Sequence, residues 1–240
     1  MNMKKSIISL VALLFLALGF TSCEKKSEGL TRVTFYANIE LEGDDYMVVA
    51  KGSTFTDPGF SATMNGQDVT NDVKVEGDVD TSVSGVYSIE YSILNADGFP
   101  ATATRTVVVL DPADPVEGMW ELDKANSQRV YDGAPAPYKG AFDFLILNNG
   151  DGTYFVEDLM AGWYAQGAGY GSNYAMQAVI SIDDNGAITL EESFVPGWGD
   201  AADKLEEGKF DAASSTISYK LFYADVIEFD VVINKLDLGL

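Results

Sequence analysis

Residues 85–110 read GVYSIEYSILNADGFPATATRTVVVL, and this stretch decides the fold class. Apolar and polar side chains alternate in its first half, which places four large side chains on one face: Tyr87, Ile89, Tyr91 and Ile93. A period of two is typical of a half-buried β-strand. The turn residues Asn-Ala-Asp-Gly separate this run from a second one that is rich in Thr and Val. The stretch therefore predicts an antiparallel hairpin.

The same alternation runs through the C-terminal half of the chain. TISYKLFY at residues 216–223 and VIEFDVVIN at residues 226–234 form its clearest strand pair, and turns of Asn, Asp and Gly separate further pairs. No helical period exceeds a turn or two. About eight strands in this half predict an antiparallel barrel or a curved sandwich, a lipocalin-like meander, because curling a sheet protects its edges.

Short motifs lie around the first hairpin. Upstream of it, RVTFYANIE at residues 32–40 alternates in the same way and predicts another half-buried strand. Proline fixes φ and glycine accepts a positive φ, so Asp-Pro-Gly lets a strand reverse, and Asn-Gly suits a tight hairpin turn. The motifs are Gly52 to Phe55, Asp57-Pro58-Gly59, Ala62-Thr63, Asn65-Gly66, Val69-Thr70, Gly85-Val86-Tyr87 and Arg105-Thr106-Val107-Val108-Val109.

This series of motifs resembles the bacterial immunoglobulin-like (Ig-like) domain of crystal toxins and Bacteroidota surface proteins. The resemblance implies that residues 32–110 fold as an Ig-like β-sandwich, which in this family acts as a spacer or an adhesive module. The expected fold class is thus all-β, with an N-terminal sandwich followed by an antiparallel barrel or a curved sandwich.

The segment between the two halves is LDPADPVEG, residues 110–118. Prolines and acidic residues in so short a run interrupt strand pairing and predict a stiff, extended linker. We therefore assign residues 111–118 to a Pro/Asp linker and residues 119–240 to a C-terminal antiparallel β domain.

The first 22 residues have the layout of a signal peptide. Lys4 and Lys5 precede an almost wholly apolar run, and small polar residues follow it. The stretch Gly19-Phe20-Thr21-Ser22-Cys23 resembles the bacterial lipobox, which implies that Cys23 becomes the acylated first residue of the mature chain. Residues 23–31 are then a lipidated tether. The alternative is an ordinary signal peptide with an incidental cysteine.

The domain order resembles that of small Bacteroidota lipoproteins encoded beside glycan-uptake systems. This resemblance implies a protein of the cell envelope, anchored to the outer membrane through its N-terminal lipid. It leaves open whether the chain faces the cell surface or the periplasm.

Composition excludes several functions. Removing residues 1–22 takes away two lysines and no acid, so the net charge falls from −22 to −24, which argues against a nucleic-acid partner. The chain has no histidine, which excludes Ser-His-Asp catalysis and the usual zinc sites. No phosphate-binding or dinucleotide loop is present, and neither NNGDGT nor DDNG has calcium-loop spacing. We expect no cofactor and no metal.

Aromatic residues in glycine-rich loops are the candidate ligand-binding groups. Small residues beside large rings let a ligand approach closely, and flat rings suit the C–H faces of sugars. Two stretches, DLMAGWYAQGAGYGSNYAMQ and SFVPGWGD, carry these residues, and RVYDGAPAPYKG is a third aromatic loop. The candidates are Trp163, Tyr164, Tyr170, Tyr174 and Trp198. The alternative is that these rings pack the core.

Three functions fit this sequence. The first is a lipid-anchored binding protein whose Ig-like spacer presents a domain that binds a glycan or another small ligand. The second is a non-catalytic scaffold that binds another envelope protein through a sheet edge or a loop. The third is a glycosidase that uses a pair of carboxylates. We favour the first and expect no enzymatic activity; the negative charge favours a neutral or cationic ligand.

Overall fold

The structure is a computed structural model that describes residues 33–240. The predicted signal peptide and the whole of the tether, Cys23 included, lie outside the described residues. The N-terminal domain comprises β1 (Ala37–Leu41), β2 (Tyr46–Ala50), β3 (Phe60–Met64), β4 (Gln67–Asp68), a 3-10 turn (Thr70–Asp72), β5 (Lys74–Glu76), β6 (Gly85–Leu94) and β7 (Pro100–Leu110).

These strands form the two sheets of an Ig-like sandwich, as predicted. One sheet has the order β1-β3-β4 and the other the order β2-β7-β6-β5. The predicted hairpin pairs β6 with β7, and the apolar face of β6 is buried at Ile89, Tyr91 and Ile93. The tight turn between β3 and β4 is made by Asn65 and Gly66, whose φ values of 50° and 74° define a primed hairpin turn.

The first strand is shorter than the sequence predicts. β1 begins at Ala37, which pairs with Met64 at the end of β3, so the residues before Ala37 have no neighbouring strand. Instead, the carbonyl of Phe35 accepts a hydrogen bond of 2.8 Å from Nδ2 of Asn95. Val33 and Phe35 continue the alternating pattern, but they precede β1 and do not pair in the sheet.

The second domain contains the remaining strands and two short helical turns. They are β8 (Gly118–Leu122), β9 (Gln128–Tyr131), β10 (Ala134–Pro137), β11 (Asp143–Asn148), β12 (Thr153–Val156), a π-helical turn (Trp163–Gly167), a 3-10 turn (Ser172–Tyr174), β13 (Gln177–Ile182), β14 (Ile188–Phe194), β15 (Lys204–Asp211), β16 (Thr216–Tyr223) and β17 (Ile227–Lys235).

These strands form one curled antiparallel sheet. Its order is β14-β13-β12-β11-β8-β17-β16-β15, and the β9-β10 hairpin pairs with β17 beside β8. The path is a meander interrupted by that hairpin, which confirms the predicted curved antiparallel architecture. The predicted aromatic loop RVYDGAPAPYKG is largely this hairpin, because Asp132 and Gly133 adopt positive φ and close a two-residue turn.

The two edges of the curled sheet meet along a seam between β14 and β15. An isolated antiparallel β-bridge pairs Ala187 with Lys209 at this seam, and the Phe210 N–H donates to the Gly186 carbonyl at 2.7 Å. Beyond this point the edges carry exposed glutamates: Glu191 and Glu192 on β14, and Glu206 and Glu207 on β15.

The join between the domains is a turn, not the extended linker that the sequence predicts. The Asp114 N–H donates to the Asp111 carbonyl at 3.1 Å, and the buried Glu117 carboxylate accepts from the Asp111 N–H. Aspartate side chains cap such turns readily, and here they outweigh the stiffening by proline. Leu110 at the end of β7 packs with Leu145 of β11, so the domains share a small apolar contact.

Candidate functional site

Loops from two parts of the C-terminal domain meet at one end of the curled sheet. The first follows β12 and contains both helical turns; the second follows β14 and contains Trp198. The Gly197 N–H donates to the Asn173 carbonyl at 2.6 Å and joins the two loops. We call this end the mouth of the sheet.

The mouth brings the predicted aromatic residues together. The Trp198 ring lies 4.8 Å from the Tyr164 ring and 5.0 Å from the Tyr174 ring, measured between centroids. Tyr170 completes the group, 5.4 Å from Tyr174 and 6.1 Å from Tyr164. We call these four residues the aromatic cluster. Tilted and edge-to-face contacts of this kind stabilise aromatic groups beyond simple burial.

The aromatic cluster is partly open to solvent. Tyr170 is 55% exposed and Trp198 is 39% exposed, whereas Tyr164 and Tyr174 are half-buried. Trp198 also stacks on Tyr223, whose hydroxyl donates to Asp200 at 2.7 Å. Burial, followed by this contact with Asp200, raises the pKa of Tyr223. The exposed Trp198 ring therefore packs on Tyr223, whose position is held by its hydrogen bond to Asp200.

Trp163 lies beside the aromatic cluster but is part of the packing beneath it. It is half-buried and contacts Tyr138 edge to face at 4.9 Å and Phe229 at 6.1 Å. Tyr138 is buried, and its hydroxyl donates to the Met160 carbonyl at 3.0 Å. Tyr138 therefore belongs to the core, whereas Trp163 packs against the core and keeps a partly exposed ring beside the aromatic cluster.

A buried aspartate holds the first loop in place. Asp158 accepts hydrogen bonds from the N–H groups of Met160 at 2.9 Å, Gly162 at 3.0 Å and Met176 at 3.0 Å. Its burial raises the pKa of Asp158 to about 6, although the three N–H donors oppose that rise. Asp158 is not among the residues that the sequence pattern predicts; the pair Glu157-Asp158 before the apolar run LMAG was the available signal.

Gly162 sets the start of the π-helical turn. Its φ of 80° is left-handed, and a Cβ at this position would lie 2.5 Å from the Cβ of Phe142. The turn itself is defined by N–H bonds from Gly167 to Gly162 and from Ala168 to Trp163, each spanning five residues. Such turns are rare and are frequent at functional sites.

One cation lies among the rings of the mouth. The Arg129 guanidinium carbon is 5.1 Å from the Tyr131 ring centroid, 5.3 Å from Trp163 and 6.0 Å from Tyr164. Arg129 pairs with the buried Phe229 across β9 and β17, so both side chains lie on the inner face of the sheet. Burial raises the pKa of the Tyr164 hydroxyl, and the charge of Arg129 and its side-chain hydrogen bond to Tyr164 oppose this rise. The sequence analysis did not select Arg129; its alternation with Tyr131 in a hairpin strand was the available signal.

In the acid-rich turns, aspartate side chains accept hydrogen bonds from backbone N–H groups of the same turn. Asp183 accepts from the N–H groups of Asn185 and Ala187 at 2.8 Å, and Asp151 accepts from the Thr153 N–H at 3.0 Å. Residues 33–240 contain no group of three or more acidic, Cys or His side chains placed to hold a metal ion. In the same part of the chain, no helical segment has the length and apolar character needed to cross a bilayer.

Comparison with known proteins defines the class first. The family model of the bacterial surface protein Ig-like domain matches residues 39–109. A second model, described as a C-terminal domain, matches residues 109–235. The chain therefore belongs to the family defined by this C-terminal domain, which here follows an Ig-like domain of the bacterial surface protein type. Neither description is that of an enzyme.

One solved structure is similar to this chain over most of its length. The chain is similar to the lipoprotein BT2262 from Bacteroides thetaiotaomicron, with 35% identity and a TM-score of 0.72 over 83% of this chain and 100% of that one. The resemblance to a lipoprotein with an Ig-like domain is thus confirmed, and it associates the family with the cell envelope. A comparison with curated proteins gives no match.

A further solved structure is only distantly similar to this chain. It contains the carbohydrate-binding module CBM51-2 of Clostridium perfringens ZmpB in complex with GlcNAc. Identity is 13% and the TM-score is 0.26, over 85% of this chain and 45% of that one.

Proposed function

We propose that this chain is an outer-membrane lipoprotein that binds a glycan through the aromatic cluster, while its Ig-like domain acts as a spacer. The observation that carries the proposal is the exposure of Tyr170 and Trp198 on a support of packed rings. A large exposed apolar surface is expensive in water unless a ligand covers it, and such patches mark binding sites.

The chemistry of the mouth suits sugars. Flat rings contact the C–H face of a pyranose, and polar groups at their edges bond to hydroxyls. Trp198 and Tyr170 supply the rings, and Asp200 lies at the edge beside Tyr223. Both loops stand on a rigid sheet, which limits the entropy lost when a ligand binds.

A glycan array followed by titration calorimetry tests this proposal. The probe protein is the mature chain without its lipid, compared as wild type, Trp198→Ala and Tyr170→Ala. Loss of one stacking ring should weaken binding about tenfold, or on the order of 1 to 2 kcal/mol. The melting temperature should change little for Tyr170→Ala and fall further for Trp198→Ala, because Trp198 also packs on Tyr164, Tyr174 and Tyr223. Affinities are compared at a temperature at which each variant is folded.

Phe99→Ala is the matched control. Phe99 is 49% exposed and contacts Tyr36 on the Ig-like domain, away from the mouth. Its loss should leave glycan affinity unchanged. The proposal is wrong if no glycan binds the wild type, or if Trp198→Ala binds as well as Phe99→Ala does.

The rings of Tyr36 and Phe99 support a second candidate function, a scaffold that binds another envelope protein. Tyr36 is 60% exposed and lies 5.8 Å from Phe99, so the Ig-like domain carries an aromatic surface of its own. In that case Phe99→Ala should reduce crosslinking of the chain to its envelope partner in intact cells, and Trp198→Ala should not.

The lipid anchor is the part of the proposal that rests on sequence. The match to a lipoprotein supports acylation of Cys23, the sole cysteine of the chain. Two or more acyl chains make such an anchor stable. Cys23→Ser should abolish labelling by a clickable fatty acid and leave unprocessed precursor, and protease treatment of intact cells distinguishes the two membrane faces. Continued labelling of Cys23→Ser would contradict the anchor.

A further inference from the structure

Arg129 differs from the other groups at the mouth because it carries a positive charge in a strongly acidic protein. The chain has a net charge of −22, yet within residues 33–240 no acidic side chain forms an ion pair with this guanidinium. Its Nε is buried and has no hydrogen-bond partner in the described part of the chain. Buried polar atoms are nearly always satisfied, so an exception needs an explanation.

The rings around Arg129 leave its hydrogen-bond donors in a defined arrangement. Tyr131 and Trp163 contact the guanidinium at 5.1 and 5.3 Å from their centroids. A guanidinium that stacks on aromatic faces keeps its N–H donors in its own plane, where they match the two oxygens of a carboxylate. The fixed rings also reduce the rotamer freedom that binding would otherwise remove.

Arg129 is close to the proposed glycan site. It lies 6.0 Å from the Tyr164 ring, which in turn contacts Trp198 at 4.8 Å. A sugar stacked on Trp198 is therefore separated from the guanidinium by one aromatic ring. Tyr131 is 52% exposed, so this side of the mouth is open to solvent.

We infer that Arg129, flanked by Tyr131, Trp163 and Tyr164, is a subsite for the carboxylate of an acidic sugar in the bound glycan. This inference rests on the proposed function and names its ligand class as a uronic-acid glycan. It reverses the expectation of a neutral or cationic ligand that follows from net charge alone.

The two charge arguments act at different distances. The repulsion between the acidic surface and an anionic glycan is screened over about 8 Å at physiological ionic strength. A direct contact between the half-buried Arg129 guanidinium and a carboxylate is much shorter than this distance and is screened less. The net charge therefore lowers the rate of encounter, whereas Arg129 determines which sugar stays bound.

Titration calorimetry with paired oligosaccharides tests the inference. The probes are tetrasaccharides of galacturonic, glucuronic and mannuronic acid, each with its methyl ester, together with neutral and sulfated galactose tetrasaccharides. At least one free acid should bind wild type tenfold or more tightly than its own ester. Arg129→Gln should bring the acid down to the affinity of the ester, and Arg129→Lys should retain part of the preference.

Lys204→Gln is the control for loss of one positive charge. Lys204 also lies over an aromatic ring, 4.3 Å from the Phe222 centroid, but it is exposed and pairs with Glu206. This variant should keep the full preference for the acid. Melting curves of all variants establish that each is folded before its affinity is compared.

The outcomes separate this inference from the proposed function. Equal binding of acid and ester, binding of neutral or sulfated sugars alone, or an unchanged preference in Arg129→Gln overturns the carboxylate subsite and leaves glycan binding intact. Absence of binding to every probe on these titrations and on the glycan array overturns both. Equal losses in Lys204→Gln and Arg129→Gln would also overturn the subsite, because net charge would then explain the effect.

Discussion

Each domain places one arginine beside aromatic side chains, and the two arginines are in opposite situations. Arg105 in the Ig-like domain is fully buried, lies 3.1 Å from Asp57, and donates to the carbonyls of Glu42 at 2.8 Å and Gly59 at 2.9 Å. Arg129 at the mouth forms no such ion pair within the described residues.

The difference shows how the two domains use similar chemistry. Arg105 satisfies loop carbonyls that would otherwise be buried without a donor, so its donors are committed to the fold. Tyr91 adds to this arrangement by donating to the same Asp57 carboxylate. Arg129 is instead surrounded by the aromatic rings of Tyr131, Trp163 and Tyr164. The donors of the first arginine are therefore committed to the fold, whereas the second is held by ring contacts and by a hydrogen bond with the Tyr164 side chain.

Replacement of each arginine by methionine tests this comparison with the largest expected effect. Arg105→Met should destabilise the Ig-like domain by about 3–5 kcal/mol, because it removes the ion-pair partner of the half-buried Asp57 carboxylate and the side-chain donor to the Glu42 and Asp44 carbonyls. Arg129→Met should cost about 1 kcal/mol, the scale of a partly exposed cation–π contact. Scanning calorimetry of the full chain measures both.

The same experiment bears on domain independence. If residues 32–110 and 119–240 fold separately, Arg105→Met should shift one calorimetric transition and leave the other in place. A single transition that shifts as a whole would contradict independent folding, and equal losses in the two variants would remove the distinction between the arginines.

The buried carboxylate of the second domain gives a smaller effect that depends on pH. Because the folded pKa of Asp158 is raised from 3.8 to about 6, its contribution is fully present below pH 4 and is lost as the pH rises through 6. The shift corresponds to about 3 kcal/mol. The difference in unfolding free energy between wild type and Asp158→Asn should therefore fall from pH 4 to pH 7. Denaturant titrations across this range measure it, and a constant difference would contradict the assignment.

Glycine substitutions in the mouth give the smallest effect. Gly162→Ala should destabilise the C-terminal domain by about 2 kcal/mol, because the new methyl group meets Phe142 and the φ is left-handed. Gly169→Ala is the control: its φ is 73°, but a Cβ there would have no neighbour within 4 Å, so it should cost about 1 kcal/mol. Thermal melts compare the two, and equal losses would show that contact with Phe142 is unimportant.

The sequence predicts local structure in both domains better than it predicts long-range contacts. Asn65-Gly66 and the hairpin of β6 and β7 follow from turn chemistry and alternation over a few residues. The sequence predicts five loop aromatics as ligand-binding residues, with core packing as the alternative: Trp163, Tyr164, Tyr170, Tyr174 and Trp198. The structure brings the last four together in the aromatic cluster, with Tyr170 and Trp198 exposed. Their role in binding is still a prediction.

The two arginines and Asp158 could not be assigned from sequence for a physical reason. Whether a charged side chain is committed or free depends on partners far away in the chain, such as Asp57 for Arg105. The register that places Arg129 opposite Phe229 arises from pairing between strands about 100 residues apart. The extended linker was wrong for a local reason, because aspartate caps close a turn at Asp111 and Asp114.

The seam between β14 and β15 has a consequence for how copies of this chain meet one another. Unpaired strand edges are templates on which neighbouring copies can add strands and polymerise. Both edges here expose paired glutamates, and the β15 edge is further interrupted by an irregular register between Glu206 and Lys209. On β15, Glu206 and Glu207 pair with Lys204 and Lys220 of the same chain, and Glu191 and Glu192 leave negative charge on β14. Charged side chains at both edges disfavour the addition of a strand from a second copy, so the curled sheet ends within one molecule.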